Sequence, residues 1–147
     1  MNTGQPARPL TVLLAEDSPV QAQLVQIIIG EIDELELIAT VEDGRDVLAY
    51  LHREGEHADA KRPDLVLLDI NMPDMDGFET LEKMKADPEL RSIPVVMLTT
   101  SDADEDIVKS YEHGASTFLQ KPVDPSKMQD VLKHFASYWT AAKLPPE

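Results

Sequence analysis

A chain of 147 residues is the size of one domain and buries about two thirds of the surface that its unfolded form exposes. Thirteen Lys and Arg against 28 Asp and Glu leave a formal net charge of −15, which opposes a broad nucleic-acid or anionic-lipid face, and the lack of cysteine excludes disulfides, thiolate metal clusters and thiol nucleophiles. The hydrophobic share of 42% is too high for an acidic disordered tail, while the opening MNTGQPARPL has no signal-like apolar stretch and no window reaches a membrane span, so a cytoplasmic protein with no membrane partner is expected.

Residues 11–15 (TVLLA) form the first predicted strand. Ser18 is a candidate N-cap with Pro19 in the first helical position, and Val20, Leu24, Ile27 and Ile28 give the helix an apolar stripe that Gly30 closes. The second strand covers 35–41 (LELIATV), and Val47, Leu48 and Leu51 mark a second helix. After it comes the one long polar connection, 52–63. Strand three is 65–69 (LVLLD), followed by a helix carrying Phe78, Leu81 and Met84 that Asp87-Pro88 stops. Strand four is 95–99 (VVMLT). A fourth helix opens on Asp104, Glu105 and Asp106, carries Ile107, Val108 and Tyr111, and ends at Gly114. Strand five is 117–120 (TFLQ), and a last helix from Asp124-Pro125 bears the stripe Met128, Val131, Leu132, Phe135 and Trp139.

Three of the five strand segments lack period-two alternation, as strands do when both faces are covered by helices. Strand and helix alternate with short connections, so right-handed crossovers onto one parallel sheet follow. The expected architecture is a doubly wound α/β domain, a five-stranded parallel sheet flanked by five helices, spanning 10–139 between an N-terminal arm at 1–9 and a tail at 140–147. No linker to a second domain is evident.

Open α/β sheets bind ligands beyond the carboxyl ends of their strands. Polar residues stand at four of those ends: Glu16 and Asp17 after strand one, Asp69 ending strand three, Thr99 ending strand four, and Lys121 after strand five. Carboxylates gathered at one rim repel unless a cation neutralises them, and an all-oxygen donor set suits Mg²⁺ or Mn²⁺. Asp17 and Asp69 would be direct ligands, the backbone carbonyl of Asn71 a third, and Glu16 would hold a coordinated water. A carboxylate can attack phosphorus to give an acyl phosphate, and Asp69 is the candidate. Lys121, Thr99 and the metal would stabilise the phosphoryl oxygens. Pro73 and Gly77 in NMPDMDG shape a tight loop that lets backbone approach the site. Singly, Asp69 could be a turn former, Thr99 a strand residue and Lys121 a solvated lysine; together they favour a phosphoacceptor. His52, His57, His113 and His134 show no metal-ligand spacing.

The segments LLAEDSP, LLDINMPDMDG, VVMLTTSD and FLQKPVD, with Thr99 lying 30 and Lys121 52 residues after Asp69, resemble the receiver domains of two-component response regulators. That resemblance implies the flavodoxin-like strand order 2-1-3-4-5 and phosphorylation of Asp69 by a sensor histidine kinase. Glu16 stands where many receivers carry Asp, and the family accepts either acid. Phe118 fits the family's switch aromatic, which turns inward when Thr99 moves toward the phosphoryl group; a static core phenylalanine is the alternative. Asn71 and Ser101 occupy positions that tune dephosphorylation. Output is expected through protein contacts of the face built by the fourth helix, the fifth strand and the fifth helix.

Within the family, the 52–63 connection, LTTSDADEDIVKSYEHGA and YWTAAKLPP look like single-domain regulators of phytochrome histidine kinases. This implies a bacteriophytochrome partner and a homodimer through the same output face; Trp139 and Tyr138 fit a dimer seam, though Trp139 fits packing on its own sheet equally well. A phosphorelay intermediate or phosphate sink, and a phosphorylation-independent dimeric scaffold, are the alternatives within this fold. An aspartyl-phosphate phosphatase of haloacid-dehalogenase type needs a second Asp two residues after the nucleophile. Asn71 stands there, so no turnover enzyme is expected beyond self-catalysed phosphotransfer and slow autodephosphorylation.

Overall fold

The computed structural model describes residues 9–99, Lys109, Glu112, 114–115, 117–120 and 124–141. Its strands are β1 (Leu10–Ala15), β2 (Leu35–Val41), β3 (Leu65–Asp69), β4 (Val95–Thr99) and β5 (Thr117–Gln120). All pair in parallel in the order β2-β1-β3-β4-β5, the doubly wound arrangement expected. β1 starts at Leu10, one residue before the expected start, and the Leu10 amide donates to the Glu34 carbonyl at 2.9 Å.

The described residues contain four α-helices, α1 (Pro19–Gly30), α2 (Gly44–Leu51), α3 (Gly77–Ala86) and α4 (Pro125–Ala141), with a 3-10 turn at Gly55–His57 in the long connection. Five α-helices were expected. The remaining one falls at 104–113, of which only Lys109 and Glu112 are described, both helical. Short polar side chains start the helices: Ser18 Oγ accepts from the Gln21 amide at 3.3 Å, Asp43 Oδ1 from Asp46 at 2.8 Å, and Asp76 Oδ1 from Glu79 at 2.9 Å. Asp124 Oδ1 does the same for Ser126 and Lys127 at 2.9 and 3.3 Å. Each cap satisfies amides that the helix cannot and is worth about 1 kcal/mol.

Strand alternation divides the core into two layers. Val12, Leu14, Leu67, Val96 and Leu98 meet Ala22, Val25, Ile28 and Ile29 of α1 and Met128 and Leu132 of α4. Leu13, Val66, Leu68, Val95 and Met97 meet Val47 and Tyr50 of α2 and Phe78, Leu81 and Met84 of α3. Every residue of β1 and β3 is buried, which is why those strands are apolar without alternation. Among the described residues no helix is long and apolar enough to cross a membrane.

The expected stripe of α1 is corrected by the structure. Val20 and Ile27 are exposed at 74% and 58%, while Ala22, Val25, Ile28 and Ile29 are buried. The helix is apolar around much of its circumference, so period alone leaves two candidate faces, and contact with the sheet selects the one through Ala22 and Val25.

Two backbone devices shape the loops. After α2, Arg53 takes a left-handed φ of 57°, its amide bonding to Tyr50 and that of Glu54 to Ala49 at 3.1 and 2.9 Å, the hydrogen-bond pattern of a Schellman cap usually built on glycine. After β3, the Ile70 amide donates to the Leu98 carbonyl and the Gly77 amide to the Ile70 carbonyl, both at 2.8 Å, so the 70–77 loop folds back on the strand end. A Cβ on Gly77 would lie 2.5 Å from the Asp69 carbonyl oxygen and 2.7 Å from Ile70 Cα.

Gly77→Ala is therefore expected to destabilise the fold by about 1–3 kcal/mol, because only backbone could move aside; urea denaturation checks this. Arg53→Gly is expected to stabilise it by about 1 kcal/mol by relieving the left-handed side chain, seen as a higher denaturation midpoint with an unchanged slope.

Candidate functional site

β1 and β3 are neighbouring parallel strands with Ala15 opposite Leu68, so the chain delivers Glu16 and Asp69 side by side at one sheet end. Carboxylate oxygens of Glu16, Asp17 and Asp69 lie within 4.8 Å of one another. Glu16 and Asp69 are buried at 2% and 3% exposure, whereas Asp17 is exposed. The Glu16 amide donates to the Val41 carbonyl at 2.9 Å, and Glu16 Oε2 accepts from the Ser18 amide at 3.2 Å. Ser18 in turn caps α1, so one turn sets both the first acid and the helix start. Asp69 Oδ1 accepts from the Asn71 amide at 3.2 Å, which places Asn71, exposed on the following loop, over the carboxylate.

Three carboxylates this close repel, and a divalent cation among them converts that repulsion into attraction. The donors are all oxygen, and the exposed Asp17 leaves room for retained water, which together fit Mg²⁺ or Mn²⁺. Glu16, Asp17 and Asp69 are the residues that could hold such an ion, with Asn71 adjacent.

Thr99 ends β4 one residue beyond Leu98, the register partner of Asp69, and pairs with Gln120. The Thr99 side chain, Lys121 and Ser101 lie outside the described residues, as do the Tyr138 and Trp139 side chains. Phe118 is half-buried on β5 opposite Met97 and packs against the α2–α3 layer. The missing side chain of Gly77 also makes room for the Asp69 backbone itself, letting α3 start against the strand end. Gly44 lies outside the residues expected from the sequence, yet its amide donates to the Met75 carbonyl at 3.2 Å and a Cβ there would meet that carbonyl at 2.7 Å. The Asp43-Gly44 pair at a helix start was the signal available for this brace.

The family profile described as the response regulator receiver domain matches residues 12–133. Response regulator Rcp1 of Synechocystis sp. is 38% identical over 133 residues, covering 89% of each chain. A crystal structure of Rcp1 in a Mn²⁺-bound form superposes with a TM-score of 0.78 at 36% identity, covering 94% of this chain and 100% of that one. The phosphorylated cyanobacterial phytochrome response regulator RcpA is 38% identical with a TM-score of 0.79, covering 94% of this chain and 99% of the other. The bacteriophytochrome response regulator RtBRR is 33% identical with a TM-score of 0.77, over 94% of this chain and 84% of that one. On the fold, the acidic rim and this match over most of its length, the chain belongs to the response regulator receiver family.

Proposed function

We propose that this protein is a cytoplasmic receiver that accepts a phosphoryl group on Asp69 from the phosphohistidine of a sensor histidine kinase. The observation that carries the reading is the convergence of Glu16, Asp17 and Asp69, whose carboxylate oxygens lie within 4.8 Å of one another. Asp17, Asp69 and the Asn71 carbonyl would hold Mg²⁺, with Glu16 accepting from one of its waters; the bound ion neutralises charge on the phosphoryl oxygens and on the carboxylate that attacks. An Asp69 oxygen forms a bond to phosphorus, the phosphorus–nitrogen bond of the donor breaks, and the imidazole departs. Lys121 pairs with one phosphoryl oxygen and the Thr99 hydroxyl donates to another.

Those last contacts are what make phosphorylation a switch. A modification shifts an equilibrium only by the difference in its contacts between two states, and Thr99 drawn to the phosphoryl group leaves space into which Phe118 turns. The face around β5 and α4 then changes, and with it a homodimer and downstream protein contacts. Asn71 and Ser101 set how readily water reaches the phosphoryl group. With Asn71 where a phosphatase would need an acid, small phosphate esters are not turned over. The kinase is a red-light-sensing phytochrome, a reading supported by the similarity to RcpA and RtBRR.

Incubation with labelled acetyl phosphate and Mg²⁺ is expected to label the wild-type chain, and Asp69→Asn to abolish labelling. Chelation of the metal is expected to suppress labelling of the wild type as well. Undiminished labelling of Asp69→Asn would refute the assignment.

A further inference from the structure

At the sheet end opposite the acidic rim, the chain entering β3 and the turn between α3 and β4 face the C-terminus of α2 across a cleft of about 690 Å³. That volume lies within the range of small-molecule sites. Its charge is unusual for a chain of net charge −15: Arg53 and Arg62 line it, with Glu89 the one carboxylate among its lining residues. Leu51 and Pro88 add an apolar wall.

The two guanidinium groups are prepared differently. Arg62 Nη1 donates to the Glu89 carbonyl at 2.7 Å and Nη2 to Ser92 Oγ at 3.3 Å, which holds the planar fork in place with further N–H donors unused among the described residues. Arg53 makes no hydrogen bond or ion pair through its guanidinium among the described residues, and its left-handed φ of 57° is held by the Schellman hydrogen bonds. His52, also on the cleft wall, is bonded to Asp87 at 2.7 Å, so the neighbouring acid already has a partner.

We infer that this cleft binds a small organic anion, with a phosphate or carboxylate head held by Arg53 and Arg62 and an apolar body against Leu51 and Pro88. A planar fork pairs with either head in two parallel hydrogen bonds, and the apolar wall favours a ligand with a body over a bare ion. Such a ligand would tie the 52–63 excursion to the α3–β4 turn, far from Asp69.

Amide NMR titration of the full chain in metal-free buffer, with phenyl phosphate, phenylacetate, inorganic phosphate and benzyl alcohol, tests this. Phenyl phosphate or phenylacetate is expected to shift the Leu51, Arg53, Arg62, Glu89 and Ser92 amides saturably, the stronger of the two identifying the head. Inorganic phosphate should bind more weakly than phenyl phosphate. Arg53→Met and Arg62→Met are each expected to weaken binding about tenfold or more while keeping the apolar stem. Arg53→Met carries the test if losing the Arg62 bonds unfolds the turn, since the Arg53 guanidinium makes no such bond among the described residues. Absent or non-saturating shifts, equal binding of benzyl alcohol, or unchanged affinity of Arg53→Met would overturn the inference.

Discussion

Glu16, Asp17 and Asp69 bring like charges within 4.8 Å of one another, and the parallel pairing of β1 with β3 forces them there. Neighbouring strands in a sheet are only about 4.8 Å apart, so acids that follow matched positions on both have nowhere else to go. Two of the three are buried, where water screens them least. A divalent cation among them would offset that like-charge repulsion, so the proposed metal dependence of Asp69 chemistry is built into the strand register.

The sheet can sustain that local cost because its centre is over-determined. β1 and β3 are covered on both faces, by α1 and α4 on one side and α2 and α3 on the other. The loop beyond Asp69 is braced in turn: Gly77 seats α3 against the Asp69 backbone, and Gly44 seats α2 against Met75. Small residues at these contacts allow backbone to touch backbone, so the acids stand on a platform whose position is set by packing. In the proposed role, movement is left to the Thr99 and Phe118 side of the sheet. The arginine-lined cleft is a separate feature on the opposite end, where the same strands begin.

Much of this was legible in the residues. Apolar runs without alternation implied buried parallel strands, and the chain shows them with the matching strand order. Ser18-Pro19 and Asp124-Pro125 marked helix starts that the caps realise. The acidic rim followed from the position of Glu16, Asp17 and Asp69 just past strand ends, since topology brings such positions together whatever the details of packing. Other features were hidden. The buried face of α1 was ambiguous because Val20 and Ile27 are as apolar as the residues that turned inward. The left-handed Arg53 left no trace, since arginine is not a residue that announces a positive φ. Gly77 stands out in NMPDMDG, but its contact with the Asp69 backbone is one that only the folded chain creates.

Crystals of the protein grown with Mn²⁺ and measured at wavelengths that reveal its anomalous signal test the central claim most directly. The account predicts one strong site between Asp17 and Asp69, close to the Asn71 carbonyl, with Glu16 on a metal-bound water. Mn²⁺ bound on another surface, with the three carboxylates left without metal at saturating concentration, would contradict it.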